Sequence, residues 1–269
     1  MRLTLPNRNR ADSVPFIILG VALAFWPVWR WTWSRMTDGS DEPLGLFPLL
    51  TLAWLLWQRR ESIPGPTPGQ IAAASFILAG YTATFHLSYP LIRAGMAVGT
   101  LAILFVRAPG TLALSLLLFL SLPIGPSLQF YGGYPLRLLV AETSAQLLQA
   151  GGFSVLRDGT ALFYAGETIL VDAPCSGLKM LWAGLFFAAA LAGWRELRAG
   201  RTIILMTLTS GILIASNIVR STLLFFKESH LLKLPDWTHS ATGLVVFALA
   251  ALFILRICLH LERRQIHGC

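Results

Sequence analysis

The sequence predicts an all-α polytopic membrane protein of about eight transmembrane helices, with a small extracytoplasmic β-containing segment before the sixth. Composition is the first ground. Of 269 residues, 55% are hydrophobic and only 13% charged, with a mean hydropathy of +0.65. A soluble domain of this length could not hide that much apolar surface. The second ground is that several runs approach the ~20 apolar residues needed to cross a bilayer. The third is a single interruption, Pro123 to Val171, where Gly, Pro and short β-prone pieces replace the long apolar runs. The chain is therefore expected to be one integral membrane domain, 1–269. It holds five N-terminal spans (1–122), an extracytoplasmic amphipathic/β segment (123–174) and a three-span C-terminal part (175–269).

The first span covers about Val14 to Trp29 and follows Arg2, Arg8 and Arg10. No clear small-residue cleavage site follows it, so it reads as a retained anchor. A polar loop, Arg30 to Glu42, leads to the second span, Leu44 to Trp57, whose Trp54 and Trp57 suit an interfacial belt. Gln58-Arg-Arg-Glu61 closes that span, and Ile63-Pro-Gly-Pro-Thr-Pro-Gly69 is a loop by composition. Spans three and four, Ile71 to Phe85 and Pro90 to Val106, are joined by His86-Leu-Ser-Tyr89. Arg107-Ala-Pro-Gly110 turns the chain into span five, Thr111 to Leu122.

Next comes the interruption. Pro123, Gly125, Pro126, Gly132 and Gly133 precede an amphipathic stretch, Leu136 to Leu148, with apolar residues at helical spacing. Phe153 to Leu156, Ala161 to Tyr164 and Thr168 to Val171 read as short strands, separated by the turn pairs Asp158-Gly159 and Ala165-Gly166. An open β element cannot face lipid, so it belongs outside the hydrocarbon layer. Three spans complete the chain: Leu178 to Trp194, Ile203 to Phe226 and Ser240 to Leu261.

With the N-terminus inside, Gln58-Arg-Arg60, Trp194 to Arg201 and Glu262-Arg-Arg264 all face the cytoplasm, as basic loops should. This also explains the net charge of +8 without nucleic acid. In that orientation Cys175 is extracytoplasmic, Cys258 lies near the inner face and Cys269 is cytosolic. No disulfide framework follows from three such cysteines.

The chemistry centres on Asp172-Ala-Pro-Cys-Ser-Gly-Leu-Lys179. Pro174 and the small residues around it suit a helix N-terminus, which places Cys175 in the first turn of span six. Free backbone N–H groups and the helix dipole there activate a cysteine as a nucleophile. The plain alternative is a small apolar residue packed at a helix end. Arg220, in Ser216-Asn-Ile-Val-Arg220, lies near the outer end of span seven. A cation inside an apolar helix usually has a partner or a task, although it can also snorkel to the headgroups. Asn217, three residues earlier, shares its face. His239 opens span eight, with Gly243 one turn later leaving room for a close neighbour. An idle interfacial histidine is the alternative there, and His86 and His230 compete for the same role. A thiol, an imidazole and a guanidinium at one surface make an acyl-transfer set.

Pro-Cys-Ser-Gly-Leu-Lys at 174–179, Asn-Ile-Val-Arg at 217–220 and His-Ser-Ala-Thr-Gly at 239–243 resemble the signature blocks of the exosortase/archaeosortase family. Their order and placement at three consecutive span ends are similar too, as is the Arg-Asp-Gly at 157–159. The strong likeness covers about Gly151 to Gly243. Asp41-Glu-Pro-Leu-Gly45 departs from the Ser-His-Gly-like motif that many members carry at the start of the second span. This leaves subfamily and substrate open.

The resemblance implies a membrane-embedded cysteine transpeptidase or protease of the cytoplasmic membrane, with its active site on the extracytoplasmic face. Its substrates would be exported surface proteins ending in a short motif, a transmembrane helix and a basic end. Cys175 would be the nucleophile that forms a thioacyl enzyme. Arg220 would stabilise the tetrahedral intermediate and His239 would act as base and acid, supported by Ser176 and Asn217. An amine on a lipid or glycan, or water, would resolve the thioacyl bond. The rival from another class is a non-enzymatic subunit of a polysaccharide-export or transport system, with 123–171 as its docking surface. No cofactor is expected. One cysteine with dispersed histidines falls short of a metal site, and no Gly-rich phosphate loop opens a helix after a strand.

Overall fold

The computed structural model describes residues 14–37, 43–59, 65–105 and 110–267. It is mostly helical, and its chain divides into two compact units. One unit comprises 1–124 with 192–202, the other 125–191 with 203–269.

In the first unit the expected anchor is two helices, α1 (Val14–Ala24) and α2 (Trp26–Thr37). Pro27 lacks the N–H that would continue the ladder, so the chain restarts at the Trp26-Pro27 pair. Helix α2 then runs through most of the stretch expected to be a polar loop. A 3-10 turn (Pro43–Gly45), α3 (Leu46–Gln58), α4 (Pro68–Ala83), α5 (Pro90–Phe105) and α6 (Thr111–Leu120) follow. Thr67 and Gln70 form a reciprocal capping box at the start of α4. Phe25, Val28, Tyr81, Ala94, Ala97, Val98, Leu122 and Ile124 form one buried cluster of this unit. Arg59 ends α3 by donating to the Gly193 carbonyl and pairing with Glu196 at 3.2 Å. Arg60 and Glu61, Ile63 and Pro64, Arg107 to Pro109, Asp41 and Glu42, the N-terminal arginines and Cys269 lie outside the described residues.

The second unit opens with α7 (Gly125–Ala150), which starts well before the expected Leu136 and passes through Gly132, Gly133 and Pro135. Three antiparallel strands follow in the order β1 (Leu156–Asp158), β2 (Ala161–Tyr164), β3 (Glu167–Leu170). The β2–β3 turn puts both Ala165 (φ 51°) and Gly166 (φ 86°) in the left-handed region, the two-residue geometry that matches strand twist. Leu162 and Ile169 pair across the sheet. They join Val140, Ala141, Ala145, Leu148, Val155, Val171 and Phe225 in one buried cluster. Helices α8 (Leu178–Trp194), α9 (Ala199–Glu228) and α10 (Trp237–His267) complete the chain. The limits of α8 coincide with those expected from the sequence.

The expectation of about eight full spans is corrected. Among the described residues two helices, Ala199–Glu228 and Trp237–Gln265, are long and apolar enough to cross a membrane. A third arises if Thr111–Leu120 and Gly125–Ala150 are taken as one broken span. Leu46–Gln58, Pro90–Leu104 and Leu178–Trp194 are apolar but only 10–17 residues long. At about 1.5 Å per residue such helices fall short of the ~30 Å hydrocarbon core. Hydropathy registers how apolar a run is and not where its helix breaks.

Candidate active site

The turn that carries Cys175 follows directly from the sheet. β3 leaves its ladder at Leu170, and the buried Val171 donates its N–H to the Thr160 carbonyl at 3.0 Å. The chain then enters a 3-10 turn, Ala173–Ser176, that carries Cys175. Helix α8 begins only after it. Cys175 thus precedes the helix instead of lying in its first turn, which corrects the basis on which the sequence assigned its activation. The reason is Gly177, whose φ of 79° breaks the path between turn and helix. The Cys175 N–H donates to the Asp172 carbonyl at 2.9 Å, and the turn packs against α7. The cysteine is half-buried beside the cluster that holds Phe225. Phe153, Tyr164, Phe225 and Phe226 meet edge to face around that cluster and brace the C-terminal end of α9.

Helix α9 supplies the link to the turn. Asn217, 2% exposed, donates Nδ2–H to the Cys175 carbonyl at 3.0 Å. A Cβ added at Gly177 would sit 2.5 Å from the Asn217 Cγ and Nδ2, so only glycine lets the amide reach beneath the turn. Two separate constraints therefore fix this residue, its left-handed φ and its lack of side chain. Gly177→Ala is expected to destabilise the protein by about 1–3 kcal/mol, from backbone strain and the displaced Asn217. A thermal melt in detergent checks this, and an unchanged midpoint would refute it. Ser176 is buried, and its hydroxyl accepts from the Leu178 N–H at 3.3 Å. It caps the start of α8.

One turn along α9 from Asn217, the half-buried Arg220 places Nη2 3.2 Å from His239 Nε2. The crossing is close because of Gly243. A Cβ there would lie 3.1 Å from the Arg220 Nε. His239 sits in the first turn of α10, and its Nδ1 lies 3.6 Å from the Glu228 carboxylate at the end of α9. The turn joining these helices is tied by Lys227 to the Asp236 carboxylate at 3.4 Å. His230 in that turn has φ 56° and donates its N–H to the Lys227 carbonyl, so it ends α9 through its backbone. His86 is exposed, belongs to the first unit and sits edge-on to Phe85.

An open cleft of about 310 Å³ lies beside this constellation, lined by Gly177, Lys179, Met180, Asn217, Arg220, Gly243 and others. Arg220 and His239 are thus in contact, and Asn217 joins α9 to the cysteine turn. Among the described residues no hydrogen bond joins the Cys175 thiol to either Arg220 or His239. Glu228 is the residue that sequence reasoning missed. Its one signal was an acidic residue at a helix C-terminus, where the dipole disfavours it.

No match was found among curated proteins or among solved structures. A family model described as transmembrane exosortase matches residues 9–256, which takes in all three motif blocks, the first membrane-length helix and the greater part of the second. Cys175, Asn217, Arg220 and His239 all fall within that match, and the chain belongs to the transmembrane exosortase family.

Proposed function

We propose that this membrane protein is a cysteine transpeptidase or protease acting on the C-terminal sorting tails of exported proteins at the outer face of the cytoplasmic membrane. The observation that carries the reading is the 3.2 Å contact between Arg220 and His239, one helical turn from the residue that holds the Cys175 carbonyl. A guanidinium and an imidazole side by side near a half-buried thiol are the groups that acyl transfer requires.

In the reaction, the Cys175 sulfur attacks the carbonyl carbon of the scissile peptide bond, and His239 Nε2, released as the Arg220 guanidinium turns to the substrate oxygen, takes the thiol proton. Arg220 donates hydrogen bonds to the oxygen of the tetrahedral intermediate. Collapse of that intermediate expels the amine of the tail, which receives the proton from His239, and leaves a thioester on Cys175. An amine on a lipid or glycan, or water, then attacks the thioester and restores the thiol. The cleft flanked by Arg220 and Gly177 offers room for the chain being cut. Asn217 and Ser176 hold the backbone around the nucleophile and touch no reacting atom.

Mass spectrometry of envelope-protein C-termini tests this in cells that carry or lack the chain. The expected result is a set of proteins that keep their terminal helix and basic end only where the chain is lacking. Identical termini in both would reject the reading and favour a non-enzymatic subunit. Arg220→Lys gives a second check on the same proteins. An ammonium is a point charge and cannot replace a planar guanidinium that faces an imidazole and an oxyanion together. Processing is expected to slow by roughly 10²-fold, the usual worth of one oxyanion donor. A near-normal rate would reduce Arg220 to charge balance.

A further inference from the structure

We infer that Glu228 is the positioning residue that fixes which nitrogen of His239 carries the proton. The inference rests on the acyl-transfer reading above. A guanidinium has five N–H donors and no acceptor. At 3.2 Å from Arg220 Nη2, His239 Nε2 must therefore present its lone pair. The ring proton is then on Nδ1, and the group facing Nδ1 is the Glu228 carboxylate at 3.6 Å. Carboxylate, imidazole and guanidinium form a row across the end of α9 and the start of α10. The row leaves the basic lone pair on the side that faces Arg220. A distance of 3.6 Å is long for a hydrogen bond, and catalytic contacts of this kind commonly shorten once substrate is bound.

Two further observations point the same way. Glu228 is the last residue of α9, and a negative charge there is opposed by the helix dipole. Helix stability alone would favour a neutral or basic residue, so the carboxylate has another purpose. The nearby Asp236 is already engaged with Lys227 at 3.4 Å, which leaves Glu228 as the carboxylate facing the ring. The groups of α9 that meet the imidazole are Arg220 and Glu228, and the backbone N–H of His239 is held by the Asp236 carbonyl at 3.3 Å.

The test uses the full-length protein in detergent, labelled with ¹⁵N-histidine, and the same variants in a cellular processing assay. The chain has five histidines, and His239→Gln assigns the signal. In the wild type, the nitrogen shifts should show the proton on Nδ1. Glu228→Gln should shift His239 towards a mixture of tautomers and slow processing by about 10- to 10⁴-fold, the range between losing a group that orients a histidine and losing the carboxylate of a catalytic triad. Glu228→Asp should restore part of both. A purely structural role predicts that Glu228→Gln lowers stability and leaves the tautomer unchanged. An unchanged tautomer with Glu228→Gln overturns the inference, whatever the activity. If Cys175→Ala still processes tails while Glu228→Gln alters the tautomer, the acyl-transfer reading falls and the orienting contact stands.

Discussion

Cys175→Ala and Cys175→Ser are expected to abolish processing of sorting tails while leaving the protein at wild-type abundance in the membrane. The two halves of this expectation have separate physical grounds. Covalent catalysis here needs a polarisable, readily ionised sulfur, and a serine hydroxyl at the same place is far less readily ionised and a far weaker nucleophile. Folding, by contrast, uses Cys175 mainly through its backbone. Its N–H reaches the Asp172 carbonyl at 2.9 Å, and its own carbonyl accepts from Asn217 at 3.0 Å. Both bonds survive any side chain at this position. Truncation to alanine removes one sulfur from the edge of the apolar cluster, which costs on the order of 1 kcal/mol. Quantifying unprocessed tails by mass spectrometry and the protein by immunoblot in the same membranes separates the two. Wild-type processing by either variant would remove Cys175 as the nucleophile. Lost processing with lost protein would show that the residue is chiefly structural.

How much of this was legible in the sequence depended on how local each feature is. Helix α8 was legible in full because its apolar run is bounded on both sides by short-range signals, the Gly177 break and the change to Arg195 after Trp194. The β2–β3 turn was legible for the same reason, since Ala165-Gly166 is sufficient for its geometry. Helix α7 was misjudged at its start. Gly132, Gly133 and Pro135 read as breakers, but packing of Gly133, Val140, Ala141, Ala145 and Leu148 outweighs their propensity. The number of spans was misjudged because hydropathy measures how apolar a run is and not whether its helix is continuous. The break after Ala24 and the short helices of the first unit carry no hydropathy signature.

The site divides in the same way. The order of Cys175, Arg220 and His239 along the chain could be read directly. Their pairing depends on crossings that no local pattern shows, Gly243 against Arg220 and Gly177 above Asn217. Gly177 was visible inside its motif, but its task required the structure. The 3-10 turn was hidden because Pro174 marks the start of a turn and of a helix equally well. Glu228 meets His239 only because the segment between α9 and α10 folds back, tied by Lys227 and Asp236.

His239→Ala is expected to lower the processing rate by roughly 10²–10⁴-fold, the range for loss of a general base. The neighbouring histidines supply the comparison. His86 is exposed in the first unit, and His230 ends α9 through a left-handed backbone, so alanine at either should leave the rate within about twofold. If His86→Ala or His230→Ala abolishes processing and His239→Ala does not, the base has been misassigned. A loss of rate at His239 alone would still be ambiguous, because removing the ring also frees Arg220 from its partner at 3.2 Å. Added imidazole resolves this. The ring of His239 is partly open to solvent, so its removal leaves a space that a free imidazole can enter from outside. Recovery of rate with imidazole in His239→Ala, and none in Cys175→Ala, would identify proton transfer as the missing step. If no imidazole concentration restores the rate, His239 serves mainly to hold Arg220 in place, and the proton must leave the thiol by another route.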